Sequence, residues 1–327
     1  MRKLNLDDNT KKVIFHIANN HNSVVILDAS YHMHRFAYVH RLLSINNEGV
    51  NIPTGHIYGF LKMICYLRRK FENPAIIIAV DGYDKERKLE NSGYKANRPA
   101  REFSVHAYID DIVKMCAMMP GVYVSYNEDY EADDTIYNVS RTIDLLFKKN
   151  NIDRNVYIYA TDKDLFQCIS GGVYVVKKWG EGKNWLTGAE IVDESGAREA
   201  FNGVRPDRIA MFRSIAGGDT SDNIKGYFRF PKKQAAIIAE ECVIVENSIV
   251  PPDEGFYNKY PKIEDYLSII NNDFDKFRSN YKILKLKEFD FTLRVPETGN
   301  AVELIKFYQM NSYRKELEIL VGIFMGD

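Results

Sequence analysis

Residues 130–134, Tyr-Glu-Ala-Asp-Asp, place three carboxylates within four positions of the chain. Apolar residues then recur every three or four positions from Ile136 to Leu146, which predicts that the acids occupy the first turn of an amphipathic helix. Acidic side chains favour a helix N-terminus because they complement its partial positive charge, so capping is one interpretation. Neighbouring side chains on a helix point about 100° apart, however, so Asp133 and Asp134 cannot both serve as caps.

Other acids follow apolar runs that are typical of buried strands. The runs Val24–Leu27, Ala75–Val80 and Val156–Thr161 are followed directly by Asp28, Asp81 and Asp162. Because the runs alternate with helical segments, they predict a parallel sheet with right-handed crossovers. Ligands of such sheets bind beyond the carboxyl ends of the strands, so we expect the three aspartates at one edge. The alternative is that each aspartate simply ends a strand and begins a turn.

Together with acids from two later turns, these residues define one predicted cluster of carboxylates. Its members are Asp28, Asp81, Glu131, Asp133, Asp134, Asp162, Asp164, Asp219 and Asp222. Two unit charges about 4 Å apart repel by about 4 kcal/mol at an effective dielectric constant near 20, so the cluster must hold protons or cations. Oxygen ligands without cysteine or histidine favour Mg²⁺ or Mn²⁺ over zinc. Two such ions about 4 Å apart are a common device for hydrolysing phosphodiester bonds.

The composition is that of an ordinary globular protein. The chain has 327 residues, 45% of them hydrophobic and 27% charged, which suits one large domain or one domain with a smaller companion. We expect no secretory signal, because no apolar region follows the first residues, and the run Ala75–Val80 is too short to span a membrane. The cysteines are scattered without a C-x-x-C pair, as in a reduced cytosolic protein, and His32 and His34 are interpreted as structural or surface residues.

Charge is unevenly distributed although the formal net charge is only −1. Basic residues crowd the segment from Lys85 to Arg101, whereas acids gather in the predicted cluster. If bound cations neutralise that cluster, the remaining surface is basic, as a nucleic-acid-binding protein requires. For the lysines alone, the alternative is an ordinary solvated helix face.

The other patterns suggest a division of the chain into three parts. We expect residues 1–22 to form an extension outside the core with a short helix at 12–18, residues 23–200 to form the α/β core, and residues 201–327 to be mainly helical. The segment 173–186 predicts a β-hairpin or edge strands, in which Trp179 and Trp185 pack across the pair.

The ordered motifs resemble those of the flap endonuclease / 5′–3′ exonuclease family, which includes the 5′-nuclease domain of bacterial DNA polymerase I and stand-alone phage 5′-nucleases. The resemblance spans roughly residues 24–240. The matching pieces are Ile26-Leu27-Asp28, residues 53–60 (PTGHIYGF), Val80-Asp81, residues 94–98 (YKANR), residues 131–134 (EADD), residues 161–164 (TDKD) and residues 218–224 (GDTSDNI).

The resemblance implies a PIN/flap-endonuclease-like fold and roles for particular residues. It implies that Asp28, Asp81, Glu131, Asp133 and Asp134 hold one metal ion, and that Asp162, Asp164, Asp219 and Asp222 hold or tune a second. It also implies a helical arch at about residues 84–110, in which Lys95 and Arg98 act on the scissile phosphate and Tyr94 stacks on an unpaired base. The other DNA contacts implied for the arch are Lys85, Arg87, Lys88 and Arg101.

The resemblance further implies a helix–turn–helix module that grips duplex DNA within residues 201–327. The chain departs from the family there, because Arg229 and Pro231 stand where glycines are expected, and proline lacks an N–H donor. We therefore expect charge contacts from Arg229, Lys232 and Lys233 in place of some backbone contacts.

The implied activity is that of a structure-specific 5′-nuclease with two Mg²⁺ ions, for which Mn²⁺ can substitute. Its expected substrates are 5′ flaps, nicked or gapped duplex DNA and RNA primers in RNA–DNA hybrids. We expect a monomer in a bacterial or phage-infected cytoplasm, with replication proteins as partners and no membrane association. The alternatives are a PIN-type single-strand ribonuclease and a non-catalytic DNA-binding protein on the same fold.

Overall fold

The apolar runs of the sequence form a central sheet in the computed structural model, which describes residues 4–83, 85–90, 93–94, 105–180, 187–217 and 223–323. The strands are β1 (Ser23–Asp28), β2 (Ser44–Asn47), β3 (Val50–Pro53), β4 (Pro74–Val80), β5 (Val122–Tyr126), β6 (Val156–Tyr159), β7 (Val173–Lys178), β8 (Glu190–Val192), β9 (Val243–Val245) and β10 (Ser248–Val250). The central sheet has the order β5-β4-β1-β6-β7-β8, and β2–β3 and β9–β10 form separate hairpins.

The central sheet is parallel except for β8, which pairs antiparallel with β7. The mostly parallel sheet predicted from the sequence is therefore confirmed, with the three predicted strands side by side as β4-β1-β6. The edge strand β5 was not predicted. The turn region of the predicted hairpin, residues 181–186, lies outside the described residues.

Helices cover both faces of the sheet. They are α1 (Asp8–Asn20), α2 (Ala29–Val39), α3 (Gly55–Lys70), α4 (Lys85–Glu90), α5 (Ile109–Cys116), α6 (Ala132–Lys149), α7 (Glu194–Ala200), α8 (Ile209–Ala216), α9 (Lys232–Glu241), α10 (Phe256–Lys259), α11 (Ile263–Asn272), α12 (Phe274–Leu284), α13 (Ala301–Phe307) and α14 (Asn311–Val321). Short 3-10 helices lie at Val105–Tyr108, Asp164–Cys168 and Pro206–Arg208.

Alternation along the buried strands divides the core into two layers. In β1, Val24 and Ile26 pack with α1 and α6, whereas Val25 and Leu27 pack with α2, α3 and α5 on the other face. Successive side chains of a strand point to opposite faces, so a strand that is apolar at every position requires helices on both.

The N-terminal segment belongs to this core. The prediction that residues 1–22 lie outside it is wrong for the described part, because Val13, Ile14 and Ile17 of α1 are buried in the same cluster as α6. The polar residues that suggested an extension occupy the solvent side of an amphipathic helix, which Asp7 caps by accepting from the backbone N–H of Thr10 at 2.7 Å.

The C-terminal part of the chain also returns to the core, through a return segment that we define as residues 285–297. Val124 of β5 and Arg294 exchange backbone hydrogen bonds of 2.9 and 3.0 Å, and Phe289 stacks on Tyr130 with ring centroids 3.8 Å apart. Beyond this segment, α13 and α14 pack against α5 and α3. The predicted boundary at residue 200 thus does not separate core from module, because residues 285–323 pack on the α/β part.

The predicted helix–turn–helix lies at α8 and α9, although most of its first turn, residues 218–222, is outside the described residues. The end of α8 and the loop before α9 come close where Gly226 meets Gly217, since a Cβ at Gly226 would collide with the backbone nitrogen of Gly217. Arg229 has φ +52°, a left-handed conformation that glycine adopts more readily than arginine. The position that departs from the family motif thus keeps a backbone shape suited to glycine.

None of the described helices combines the length and the hydropathy needed to span a bilayer.

We expect the buried His32 on α2 to make stability fall as the solution becomes acidic. Burial lowers the pKa of His32 to about 3, although a 2.8 Å hydrogen bond to the carbonyl of Tyr159 opposes this effect. The unfolded chain therefore binds more protons below pH ~6.5, and the free energy of unfolding should fall towards a limiting slope of about 1.4 kcal/mol per pH unit. Urea unfolding between pH 7 and 5 should include this contribution, and His32→Gln should lower the measured slope by about that amount, leaving the contributions of other buried histidines such as His56.

Met33→Leu, a buried apolar change on the same helix, controls for altered packing and should retain the wild-type slope. An unaltered slope in His32→Gln would contradict the assignment.

Candidate metal and nucleic-acid site

Carboxylates from three neighbouring strands and one helix line a single cavity. Asp28 ends β1, Asp81 follows β4 and Asp162 follows β6, all at the carboxyl edge of the sheet. Together with Glu131 and Asp133 at the start of α6, they line a cavity of about 500 Å³. The structure thus brings these predicted metal ligands together, and the parallel topology is the reason.

Backbone N–H groups fix the orientation of the strand-end aspartates. Asp28 accepts from the backbone N–H of Tyr31 at 2.9 Å, and Asp81 accepts from that of Ala132 at 2.8 Å. Asp162 accepts from the backbone N–H of Asp164, also at 2.8 Å. In each case one carboxylate oxygen is held in place by the main chain, as the supporting shell of a metal site requires.

The cavity leaves room for a cation together with bound water. Within the described residues, no group of three or more acidic, histidine or cysteine side chains is arranged to hold a metal ion directly. The carboxylates instead surround about 500 Å³ of open space. Mg²⁺ usually keeps several of its waters and prefers oxygen ligands, so the residues present fit such an ion.

The wall that faces the carboxylates is one side of α2 and was missed by sequence reasoning. Tyr31, His34, Arg35 and Tyr38 line the same cavity. Their spacing of three, four and seven positions places them on one helix face, which is the signal that could have identified them. Arg35 Nη1 also donates to the hydroxyl of Tyr159 at 3.3 Å. The cavity therefore combines an acidic floor with a wall that is aromatic and basic.

Asp134 and Arg87, predicted as a metal ligand and a DNA contact, are bound to each other in the interior. Arg87 Nη1 and Nη2 donate to the two carboxylate oxygens of Asp134, both at 2.7 Å. Their side chains are only 3% and 0% exposed. Burial lowers the pKa of the Arg87 guanidinium, but Asp134 and Glu131 outweigh it and hold this pKa above its usual range. The structure contradicts the roles predicted for this pair, because α6 turns Asp134 towards the protein interior.

The same guanidinium reaches the cavity through Glu131. Arg87 Nη1 donates to Glu131 Oε2 at 2.9 Å, and the hydroxyl of Tyr94 donates to the same oxygen at 3.2 Å. Tyr94, predicted to stack on a base, thus contacts a carboxylate of the site and packs beside Ile224 and Ile283. These contacts hold Glu131 at the edge of the cavity from the side of the predicted arch.

Asp164 is displaced from the predicted second metal group. Its carboxylate forms an ion pair with Arg213 of α8, and it does not line the cavity. Asp219 and Asp222, the other acids of that group, lie outside the described residues. Asp162 is therefore the member of the second group that the structure places with the first.

The predicted DNA contacts are divided between described and undescribed parts of the chain. Lys95, Arg98 and Arg101 lie outside the described residues, and the side chains of Lys85 and Lys88 on α4 are likewise not described. Arg229, Lys232 and Lys233 are exposed at and before the start of α9, where a DNA backbone can reach them.

The sequence matches one family over more than half of its length. The model of the 5′–3′ exonuclease N-terminal resolvase-like domain matches residues 23–201. A 5′–3′ exonuclease of Aquifex aeolicus is 27% identical over 306 residues, which cover 90% of this chain and 95% of the relative. A DNA polymerase I of Pseudomonas aeruginosa is 28% identical over 204 residues, which cover 62% of this chain and 20% of the relative.

Two solved structures illustrate the same fold. The phage T5 5′-exonuclease with bound zinc ions gives a TM-score of 0.55 at 15% identity, over 92% of this chain and 99% of the other. The catalytic core of Rad2 in complex with a DNA substrate gives a TM-score of 0.50 at 18% identity, over 95% of this chain and 94% of the other.

We expect the Arg87–Asp134 pair to matter for stability more strongly than a surface pair. Arg87→Met leaves the buried Asp134 uncompensated and should lower the free energy of unfolding by about 3–5 kcal/mol. The double variant Arg87→Met/Asp134→Leu removes both charges and should regain most of this loss. Denaturant unfolding of the single and double variants measures the coupling.

Arg278 and Asp275 form an ion pair at the surface, with side chains 39% and 90% exposed, and provide the matched control. Arg278→Met should cost less than about 1 kcal/mol. A similarly small cost for Arg87→Met would contradict the proposed importance of the buried pair.

Proposed function

Because the chain belongs to the 5′–3′ exonuclease family, we propose that it is a divalent-metal-dependent 5′-nuclease that hydrolyses DNA at junctions of single strand and duplex. The observation that carries the proposal is the convergence of Asp28, Asp81, Glu131, Asp133 and Asp162 on one open cavity. Carboxylates gathered in this way repel one another, and bound cations relieve that repulsion.

The proposed cofactors are two Mg²⁺ ions, for which Mn²⁺ can substitute. The five carboxylates that line the cavity would hold them, with Asp219 and Asp222 completing the second group as the family motif suggests. Divalent cations bound there would supply the acidification of water and the neutralisation of phosphate charge that hydrolysis requires. The all-oxygen donor set supports Mg²⁺ rather than a softer metal.

The protein's own residues orient the substrate. Arg35 lies on the wall opposite the carboxylates, so its guanidinium can hold a phosphate of the bound strand against the acidic floor. Tyr31 and Tyr38 on the same wall offer ring faces to an unpaired base. Tyr94 and Arg87 keep Glu131 in place, and Lys95 and Arg98 are the proposed contacts to the scissile phosphate.

The decisive experiment compares substrates of different architecture. A duplex with a labelled 5′ flap should be cut near the junction in the presence of Mg²⁺, whereas a plain single-stranded RNA should be cut far more slowly. Faster cleavage of the RNA would favour the PIN-type ribonuclease. Absence of cleavage with both Mg²⁺ and Mn²⁺ would favour a non-catalytic DNA-binding protein.

We expect Asp133→Asn to lower turnover at least about 100-fold, because it removes a charge from the site that stabilises the transition state. DNA affinity should remain close to wild type, since the proposed phosphate contacts are made by other residues. Cleavage of the flap substrate under single-turnover conditions, together with fluorescence anisotropy, separates the two effects.

Asp275→Asn removes the same charge from a side chain that is 90% exposed on α12 and should leave turnover unchanged. Wild-type turnover in Asp133→Asn would reject the metal assignment.

The module at α8 and α9 is proposed to bind duplex DNA through side-chain charge as well as through backbone amides. Arg229 is exposed and keeps φ +52°, and Lys232 and Lys233 follow at the start of α9. The cationic side chain thus occupies the position at which the family motif has a glycine.

We expect Arg229→Gly to change stability by less than about 1 kcal/mol, because relief of the left-handed strain offsets the greater chain entropy of glycine. Duplex binding should nevertheless weaken, and the slope of log K against log[salt] should decrease by about 0.9, as expected for the loss of one phosphate contact. Arg229→Lys, which keeps the charge, should preserve the slope. An unchanged slope in Arg229→Gly would exclude Arg229 from the interface.

A further inference from the structure

A second large cavity lies on the other side of the Glu131–Arg87 contact. This basic groove, as we call it, has a volume of about 790 Å³ and opens to solvent. It is formed by α4, by Tyr130, and by the end of α12 together with the return segment. Its lining residues are Arg87, Leu89, Glu90, Tyr130, Lys282, Lys285, Leu286, Lys287 and Glu288.

Three lysines give the groove its character. The chain contains no acidic residue between Asp275 and Glu288, and Lys282, Lys285 and Lys287 line the groove from this stretch. Lys285 is in an extended conformation, with φ −72° and ψ 127°, and Leu286 is buried. Lys285 and Lys287, on either side of Leu286, both line the groove.

The segment that carries these lysines is firmly held. The Gln167 side chain donates to the carbonyl of Leu284 at 2.9 Å and accepts from the backbone N–H of Leu286 at 3.4 Å. The backbone N–H of Lys287 donates to Asp134 at 2.9 Å, and its carbonyl accepts from Asn138 at 2.7 Å. The main chain is therefore positioned before any ligand arrives, which lowers the entropy lost on binding.

Two acidic residues also line the groove. Glu90 pairs with Lys282 at the surface, where the side chains are 29% and 54% exposed, and Glu288 lies at the end of the same stretch. Exposed ion pairs of this kind contribute about 0–1 kcal/mol, so a phosphate can replace the Glu90 carboxylate at little cost. Lys285 Nζ lies over the ring of Tyr281, 5.4 Å from its centroid, and is not paired with an acid in the described contacts.

The groove adjoins the catalytic cavity. Arg87 lines the groove and bonds to Glu131, which lines the cavity, and Tyr130 precedes Glu131 in the chain. Tyr130 is stacked on Phe289, and Lys287 Nζ lies over the Tyr130 ring, 5.8 Å from its centroid. These contacts hold Lys287 next to the residue that precedes Glu131.

We propose that the basic groove binds the unpaired strand of the substrate outside the catalytic cavity, with Lys285 and Lys287 contacting two phosphates. The proposal rests on the proposed function, because the strand reaches the groove from the carboxylate site. A cavity of about 790 Å³ lies within the range of about 300–1,000 Å³ that accommodates small ligands. It therefore has room for a few nucleotides of single strand.

The test compares a blunt duplex with the same duplex carrying a long 5′ single strand, using the full chain with Asp133→Asn so that the DNA stays intact. Fluorescence anisotropy at several salt concentrations gives the slope of log K against log[salt]. Lys285→Ala/Lys287→Ala should reduce this slope by about 1.4 for the DNA with the overhang, the value expected for two lost single-strand contacts. Raising the salt from 50 to 200 mM should therefore weaken binding by the parent about sevenfold more than binding by the variant. The blunt duplex should bind the variant as it binds the parent.

Two further variants keep the test specific. Lys285→Arg/Lys287→Arg keeps both charges and should retain the slope of the parent. Lys262→Ala/Lys306→Ala removes two charges from exposed positions outside the groove and should leave the salt slope unchanged for both substrates. Equal melting temperatures of all variants exclude unfolding as the cause.

Two results would overturn the inference. An unchanged slope in Lys285→Ala/Lys287→Ala would mean that the groove does not contact the strand. An equal decrease of the slope for both substrates would assign the lysines to duplex binding. Failure of the proposed function would appear differently, as absence of Mg²⁺-dependent cleavage of the flap substrate by the wild-type protein.

Discussion

The buried ion pair between Arg87 and Asp134 is the contact on which the site depends. Two charges out of water are costly unless each is compensated, and here the guanidinium also donates to the carbonyl of Ile283 at 3.0 Å while the carboxylate accepts from the backbone N–H of Lys287. Four parts of the chain therefore meet at one point: α4, the start of α6, the end of α12 and the return segment. Because the same guanidinium holds Glu131, the interior of the protein is connected to the edge of the carboxylate cavity.

Asp133 and Asp134 are identical, neighbouring residues that the helix places in different environments. They are adjacent in the sequence, and the rotation of about 100° between successive helical residues directs Asp133 into the cavity and Asp134 into the interior. The cavity thus gathers carboxylates whose repulsion a cation can relieve, while the interior holds a carboxylate whose charge an arginine has already neutralised. This division separates the part of the acidic motif that is proposed to serve catalysis from the part that stabilises the fold.

The sequence predicted the features that depend on local pattern. The strands before Asp28, Asp81 and Asp162 are apolar throughout, and parallel topology then requires that their ends meet. The features that depend on distant partners were not predictable. No pattern within Arg87 or Asp134 indicates their pairing, because the buried position of each depends on residues more than 100 positions further along the chain, near Ile283 and Lys287. The same holds for Asp164, whose partner Arg213 is supplied by another helix. The aromatic and basic wall of α2 could have been recognised from its helical spacing. That spacing indicates a shared helix face, but it suggests a binding site only once the carboxylates beside it are known.

The return segment has a consequence for the order in which the protein can be made. It covers the outer edge of β5, and its Leu293 N–H donates to the Thr10 hydroxyl of α1 at 3.0 Å, so residues 283 positions apart in the chain close against each other. During synthesis from the N-terminus, the edge of the sheet and one side of α1 remain uncovered until these residues have been made. The acidic motif of α6 emerges long before the backbone N–H that fixes Asp134. A nascent chain therefore fixes Asp134, and through Arg87 the contact to Glu131, only after Lys287 has been made, so the edge of the cavity takes its final form later than its carboxylates are synthesised.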